Sequence, residues 1–296
     1  MNTTTTQSSK GIQNMITTAI EKQISMFNTD LIAPSFDWPQ MIKYFNFLTQ
    51  MSPEDQKLWQ FDFSPNGDPD DGFLPGRTGG IYDNKSVFQF RPRILEIAFN
   101  KKAPFIEMPG VVSFLETLNT YHRYFYEFFC KIMKELDMMY PEYDFVNNIP
   151  LDQNEAVVIR LLKYPKGMEV ENRILAKEHF DKSFSTIHIT ETAPGLFLGE
   201  RLHIPFKSQT GKVGFFFSTK APILTGGQLF YRRVSTTNGR STPKYIIDSI
   251  DGGLLTATKH VVLSTAETLL NERFSVVVFL HSKTDLPVPN IDNIIF

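Results

Sequence analysis

The sequence predicts an α+β fold, mainly β, in which helices come first and an antiparallel sandwich or barrel follows. Apolar residues recur at helical spacing through the first half of the chain. After Pro141 the pattern changes to short β-branched runs separated by turn signals. Helices grouped ahead of strands indicate α+β rather than an alternating α/β sheet. With 296 residues the chain can bury a full core. We expect a disordered tail over 1–10, a helical cap with a supporting helix over 11–150, and a β-rich core over 151–296. The last two are expected to form one structural unit.

The elements follow in order. Residues 1–10 are polar and repetitive, which reads as a frayed tail. Ile12, Met15, Ile16, Ala19, Ile20, Ile24 and Phe27 share one helical face. Trp38, Met41, Ile42, Phe45 and Leu48 repeat that pattern in a second helix. Ser52-Pro53-Glu54-Asp55 then gives an N-cap, a proline at the first helical position and an acidic first turn. Residues 66–83 are rich in Gly, Pro and Asp and read as a long surface loop. From Val111 to about Asp137 runs the longest helical pattern, with Phe114, Leu118, Tyr121, Phe125, Phe128, Ile132 and Leu136 on its buried face. Strand candidates are 156–162, 185–190, 195–198, 213–217, 245–250 and 274–280. Residues 232–244 are polar and aperiodic, and read as an exposed insertion.

Composition excludes several classes of function. Thirty Lys and Arg against 32 Asp and Glu leave a net charge of −2, so no strong field favours nucleic acid or an anionic membrane. One cysteine, Cys130, excludes an intrachain disulfide framework and a cysteine-based zinc site. It fits a reducing compartment, and a cytoplasmic location is expected. No apolar run reaches membrane-spanning length, and the first residues carry no signal-peptide pattern.

The chemistry is concentrated downstream of residue 177. In K-E-H-F-D-K-S-F-S-T-I-H-I-T, His179 and Asp181 stand one residue apart. Alone, such a pair is more simply a solvated strand end. Two imidazoles and one carboxylate on one face of a divalent ion leave the opposite face open, the arrangement of non-heme iron(II) oxygenases. That requires another histidine, and His188, His203, His260 and His281 are candidates. His260 is the best, because D-G-G-L-L-T-A-T-K-H-V-V leads from a glycine turn into a strand carrying it. Arg273 and Ser275 then share one strand face, and a guanidinium beside a hydroxyl suits a carboxylate.

These motifs in this order resemble the iron(II)- and 2-oxoglutarate-dependent oxygenases, in the branch containing isopenicillin N synthase. Asp251-Gly252-Gly253 with Ala257 and His260 match the family's middle motif, and Arg273, Ser275 and Phe279 its last. Leu162-Lys163-Tyr164-Pro165 resembles the motif ahead of the dyad, and Gly195-Leu196 the glycine-leucine strand after it. The resemblance covers about residues 12–282. Leu162-Lys163 and Val261 depart from the usual residues, and the gaps from Asp181 to His260 and from His260 to Arg273 are longer than usual.

The resemblance implies a double-stranded β-helix, or jelly roll, carrying iron(II) on His179, Asp181 and His260. It implies 2-oxoglutarate as co-substrate, held by Arg273 and Ser275 with help from Tyr164, and ascorbate as a candidate reductant. His188, Leu196 and Phe279 would line the substrate pocket. The reaction would hydroxylate or desaturate a small organic substrate with O2, releasing succinate and CO2. One alternative is an oxidase of the same fold that needs no 2-oxoglutarate and uses the Arg-Ser pair for a substrate carboxylate. The other is a catalytically silent barrel used for binding, which an intact ligand triad disfavours. The near-neutral charge and many aromatic residues favour a small-molecule substrate over nucleic acid. Residues 66–83 and 232–244 are expected to shape the mouth of the site. The oligomeric state is open, and a monomer is compatible with the sequence.

Overall fold

The computed structural model describes residues 3–33, 35–61, 71–74, 85–100, 104–148, 153–166, 174–181, 183–199, 204–206, 211–218, 223–225, 228–230, 232–234, 244–246, 255 and 257–281. The first half contains helices α1 (Thr3–Lys22), α2 (Trp38–Thr49), α3 (Pro53–Lys57), α4 (Pro92–Asn100), α5 (Val111–Met139) and α6 (Phe145–Asn148). Strands β1 (Ser25–Asn28), β2 (Gln60–Phe61), β3 (Asp71–Leu74) and β4 (Ser86–Phe90) are threaded among them. The second half holds β5 (Val157–Tyr164), β6 (Ile174–His179), β7 (Ser185–Glu191), β8 (Leu196–Leu198), β9 (Ile204–Pro205) and β10 (Lys212–Phe217). Four short strands follow: β11 (Ile223–Thr225), β12 (Gln228–Phe230), β13 (Arg232–Val234) and β14 (Lys244–Ile246). The last described elements are β15 (His260–Leu263), α7 (Ala266–Leu270) and β16 (Arg273–Leu280).

The main sheet is antiparallel, in the order β1-β10-β7-β16-β5-β4-β3-β2, and a second sheet runs β6-β15-β8-β9. Period-two alternation decides what each face of the main sheet does. In β16, Phe274, Val276, Val278 and Leu280 enter the main apolar core, while Arg273, Ser275, Val277 and Phe279 line a cleft. In β5, Val157, Ile159 and Leu161 face the core, and Arg160, Leu162 and Tyr164 face the cleft. Both strands are thus covered on both faces, which is why their sequences read as nearly continuous apolar runs.

Helix α5 closes the core side. Its 29 residues span roughly 44 Å at 1.5 Å per residue. The seven residues predicted for its inner face are all buried, five of them fully. Burying a phenylalanine contributes about 1.5–3 kcal/mol, so Phe114, Phe125 and Phe128 make this helix a principal anchor of the sheet. Ser52 caps α3 by accepting from the Asp55 amide at 3.1 Å.

Four expectations change. Helix α1 begins at Thr3, inside the segment read as a frayed tail. Once Ile12, Met15, Ile16 and Ala19 are buried, propagating the helix backwards through Thr and Ser costs little. At the other end the helix stops at Lys22, and Phe27 lies in a strand paired with β10. The expected loop at 66–83 contains β3, whose Asp71 is fully buried between Arg91 at 2.6 Å and Arg93 at 2.5 Å. Residues 66–70 and 75–83 lie outside the described residues. The expected insertion at 232–244 opens and closes with β13 and β14, paired antiparallel; residues 235–243 lie outside the described residues, as do 247–250 of a predicted strand. Among the described residues, no helix is long and apolar enough to cross a membrane.

His122 on α5 is 1 % exposed, packed near Phe90, and its Nε2 has no hydrogen-bond partner among the described residues. Burial pushes it down to about 4 from 6.5, the charge of Arg91 adding to this against a backbone hydrogen bond at Val157. The unfolded chain therefore binds this proton more readily, and stability falls as pH drops from 6.5 towards 4, by up to about 3 kcal/mol. Chemical denaturation of His122→Phe across that range should show a shallower acid slope than the parent; an unchanged slope would remove His122 as the cause.

Candidate metal centre

Strand pairing brings the three predicted ligands together from two strands and a strand exit. His179 ends β6, Asp181 follows two residues later, and His260 begins β15 directly opposite His179. Their ring centroids are 4.2 Å apart. The Asp181 Oδ1 lies 3.6 Å from His179 Nε2 and 3.4 Å from His260 Nε2. One donor atom from each of the three lies within 4.8 Å of the others.

The tautomers suit a cation. His179 Nδ1 faces the Lys177 carbonyl and His260 Nδ1 faces the Thr258 carbonyl. A carbonyl only accepts, so both Nδ1 atoms carry the proton and both Nε2 lone pairs point at the shared site. Burial works against ionising Asp181, yet the charge of His260 and hydrogen bonds from both histidines hold its carboxyl well below the usual range. Burial likewise opposes a charged His260, but Asp181 raises it above 6.5. The donor set fits a divalent ion with bonds of about 2.1 Å to imidazole and carboxylate.

Thr186 positions the carboxylate. Its Oγ1 donates to Asp181 Oδ2 at 2.7 Å, leaving Oδ1 turned to the histidines, and Ser218 Oγ lies 2.7 Å from the same hydroxyl. Neither Thr186 nor Ser218 stood out in the sequence as a partner of Asp181: the Thr186 contact is local, five residues along the chain, but belongs to no motif, and Ser218 joins it through the pairing of β7 with β10. Replacing Thr186 with Val should weaken the affinity for a divalent ion at this site by about 10- to 100-fold, the scale for losing an outer partner of a metal ligand, measured by competition with a chelator. Unchanged affinity would deny it this role.

The three candidate ligands open onto a cleft whose walls include Tyr164, His188, Leu196, Arg273, Ser275 and Phe279. Every predicted pocket residue therefore reaches one cavity. Arg273 is 1 % exposed. Its Nε donates to the Ala193 carbonyl at 3.1 Å, its Nη1 to Ser275 Oγ at 3.4 Å, and its Nη2 to Glu191 Oε2 at 2.6 Å. The Tyr164 ring lies under the guanidinium, 5.1 Å from its carbon. Gly195 is required beside it, since a Cβ there would stand 2.9 Å from the Leu263 carbonyl oxygen and 3.1 Å from Arg273 Nε.

Glu191 was invisible to sequence reasoning. Its side chain is 2 % exposed, and burial opposes its charge, but His188 and Arg273 hold its carboxyl below the ordinary value. Thus the arginine expected to await a ligand carboxylate already meets a protein one. His188 packs edge-on against Phe206 at 4.2 Å, with Nε2 3.7 Å from Glu191 Oε2. Burial holds it below 6.5 despite that carboxylate. Gly214, opposite His188 in β10, leaves room for the Phe206 ring, which a Cβ would meet at 2.5 Å. Of the other histidine candidates, His281 is pushed by burial to about 3, and His203 lies outside the described residues.

No sequence-family model and no curated protein matches the chain. Its structure is similar to several solved oxygenases. Dioxygenase for auxin oxidation 1 from Arabidopsis thaliana, in complex with 2-oxoglutarate, aligns at a TM-score of 0.62 with 15% identity, covering 94% of this chain and 90% of that one. JOX2 in complex with 2OG, Fe and JA aligns at 0.60 with 14% identity, over 94% and 72%. A full-length Neurospora crassa protein crystallised with alpha-KG and 5-formyluracil aligns at 0.57 with 13% identity, over 94% and 80%. At such identities the likeness speaks for architecture, and the chain has the fold of the iron(II)/2-oxoglutarate oxygenases.

Proposed function

We propose that the protein is an iron(II)- and 2-oxoglutarate-dependent oxygenase acting on a small organic molecule, its two sheets forming a double-stranded β-helix. The single observation that carries this reading is the convergence of His179, Asp181 and His260 on one point at the mouth of a cleft that also contains Arg273. Similar structures hold 2-oxoglutarate on the same fold, which supports the choice of co-substrate.

His179, Asp181 and His260 would hold the iron, which supplies O2 activation coupled to oxidative decarboxylation of the oxoacid. The protein supplies position and dryness. Asp181 offers one oxygen because Thr186 occupies the other. Arg273 and Ser275 would orient the distal carboxylate of the oxoacid, and Tyr164 fixes the plane of the guanidinium by its ring face. Of the five guanidinium N–H groups, three are engaged by Ala193, Ser275 and Glu191. An incoming carboxylate therefore competes with Glu191. That competition also favours a second reading, an oxidase of the same fold that does not use 2-oxoglutarate.

Protein reconstituted anaerobically with ferrous iron and exposed to O2, ascorbate and 2-oxoglutarate should release succinate and CO2 in equal amounts, faster when its substrate is present in a metabolite mixture. Iron binding without any oxoacid consumption or binding would favour the oxidase. No iron above background would leave a binding barrel.

A further inference from the structure

Arg160 is a second guanidinium on the cleft wall. It lies on the same face of β5 as Leu162 and Tyr164, four residues from the Tyr164 that underlies Arg273, so the two arginines spring from backbone positions about 13 Å apart along the strands. Across the sheet it stands opposite Val277 in β16 and Gln89 in β4. Its plane rests on the Phe279 ring, 4.7 Å from the centroid.

The two arginines differ in their partners. Arg273 has Glu191. Arg160 directs Nε, at 3.0 Å, and Nη2 to a single neutral acceptor, Gln89 Oε1. Gln89 Nε2 in turn donates to Asp71 at 3.1 Å. The Asp71 charge is already matched by Arg91 and Arg93. Among the described residues no carboxylate pairs with Arg160, and its Nη1 makes no hydrogen bond. The strongest negative field on it comes from Asp181, whose charge belongs to a bound cation when the metal site is loaded. Lys85 also lines the cleft, but at the other end, over Tyr164.

Arg160 is half-buried, so its unpaired charge keeps some contact with solvent, and its amide and aromatic rests hold one edge open towards the cleft, where an anion would be drawn to it. From this geometry we infer that Arg160 is the anchor for the substrate, which is a monoanionic carboxylate with an apolar body. The inference rests on the oxygenase reading for the word substrate. The carboxylate takes the free Nη1 edge beside Phe279, and the apolar body lies along Val277, Phe216 and Leu196, which share the cleft with the metal ligands. A dianion such as a phosphate ester fits less well, because a single guanidinium faces it.

The test uses iron-loaded protein held anaerobically and saturated with 2-oxoglutarate, titrated calorimetrically with matched pairs: phenylacetate against phenylacetamide, and hexanoate against hexanamide. At least one acid should bind about tenfold or more tightly than its amide, the margin of a charge-assisted pair over a neutral one. Arg160→Gln should erase that margin while 2-oxoglutarate affinity stays as in the parent. Arg160→Lys should keep part of it, and guards against misfolding of the first variant. The proposal fails if no acid binds, if acid and amide bind alike, or if Arg160→Gln loses 2-oxoglutarate instead. Should the parent bind no oxoacid yet keep the acid-over-amide margin on metal alone, the oxygenase reading falls and the Arg160 anchor stands.

Discussion

Asp181→Asn should lose bound iron by on the order of a hundredfold in affinity or more, exceeding the loss of any outer partner, and with it all succinate release. The substitution keeps the shape of the side chain and removes the charge that draws a cation between two neutral imidazoles. His260→Ala should do the same from the other sheet strand, since it removes one of two nitrogen donors. Iron content after anaerobic reconstitution, read beside a far-ultraviolet spectrum that reports folding, checks both variants. Parent-like iron stoichiometry in Asp181→Asn would dismantle the proposed centre. The loss should also be sensitive to pH in the unmodified protein. His260 is raised above 6.5 by Asp181, so a cation must displace a proton there, and affinity should fall as the medium is acidified through that range.

Arg273→Leu should destabilise the protein by about 3–5 kcal/mol, the cost of leaving one member of a buried ion pair alone. Among the described residues, Glu191 would remain in the interior with His188 as its remaining titratable neighbour, at 3.7 Å. Removing both charges together should recover most of the loss, because an apolar pair of similar volume avoids desolvating either ion. Denaturation curves of Arg273→Leu, Glu191→Leu and the double variant form the required cycle. A double variant no more stable than Arg273→Leu would show that Glu191 is not the stranded partner. Glu191→Gln alone separates stability from ligand binding: it frees Arg273, and 2-oxoglutarate should then bind several-fold more tightly. If the oxoacid does not use Arg273, its affinity will not respond.

The contrast between Arg273 and Glu191 shows what can be read along a chain. Arg273 enters an apolar run ending in Leu280, so its burial and its need for an anion were legible without coordinates. Which anion it meets was not. Glu191 lies at the end of a different strand, 82 residues away, and β7 and β16 meet with a register shift between Val276 and Val277. No local pattern encodes that shift.

The same division runs through the fold. Helices α2 and α5 were legible because each buries one face of a regular helix, β5 and β16 because two covered faces demand uninterrupted apolar runs, and β7 because its residues alternate as a strand requires. Strand β1 was not, since the apolar spacing through Ile24 and Phe27 continues the helical period. Only pairing with β10 extends that backbone. Strand β3 was hidden by loop-like residues whose buried Asp71 is stabilised by Arg91, between β4 and α4, and by Arg93 in α4.

Taken alone, the sequence determined the class of the fold, the core face of each long element, and the residue types able to hold a cation and a carboxylate. These depend on periodicity and on chemistry confined to one or two neighbours. Tertiary structure alone decided that Ser218 backs the Thr186 hydroxyl, that Glu191 occupies Arg273 and that Arg160 faces the cleft between an amide and a phenylalanine ring. Each of those depends on strand register, and register is set by side chains far apart in the chain competing for one buried face.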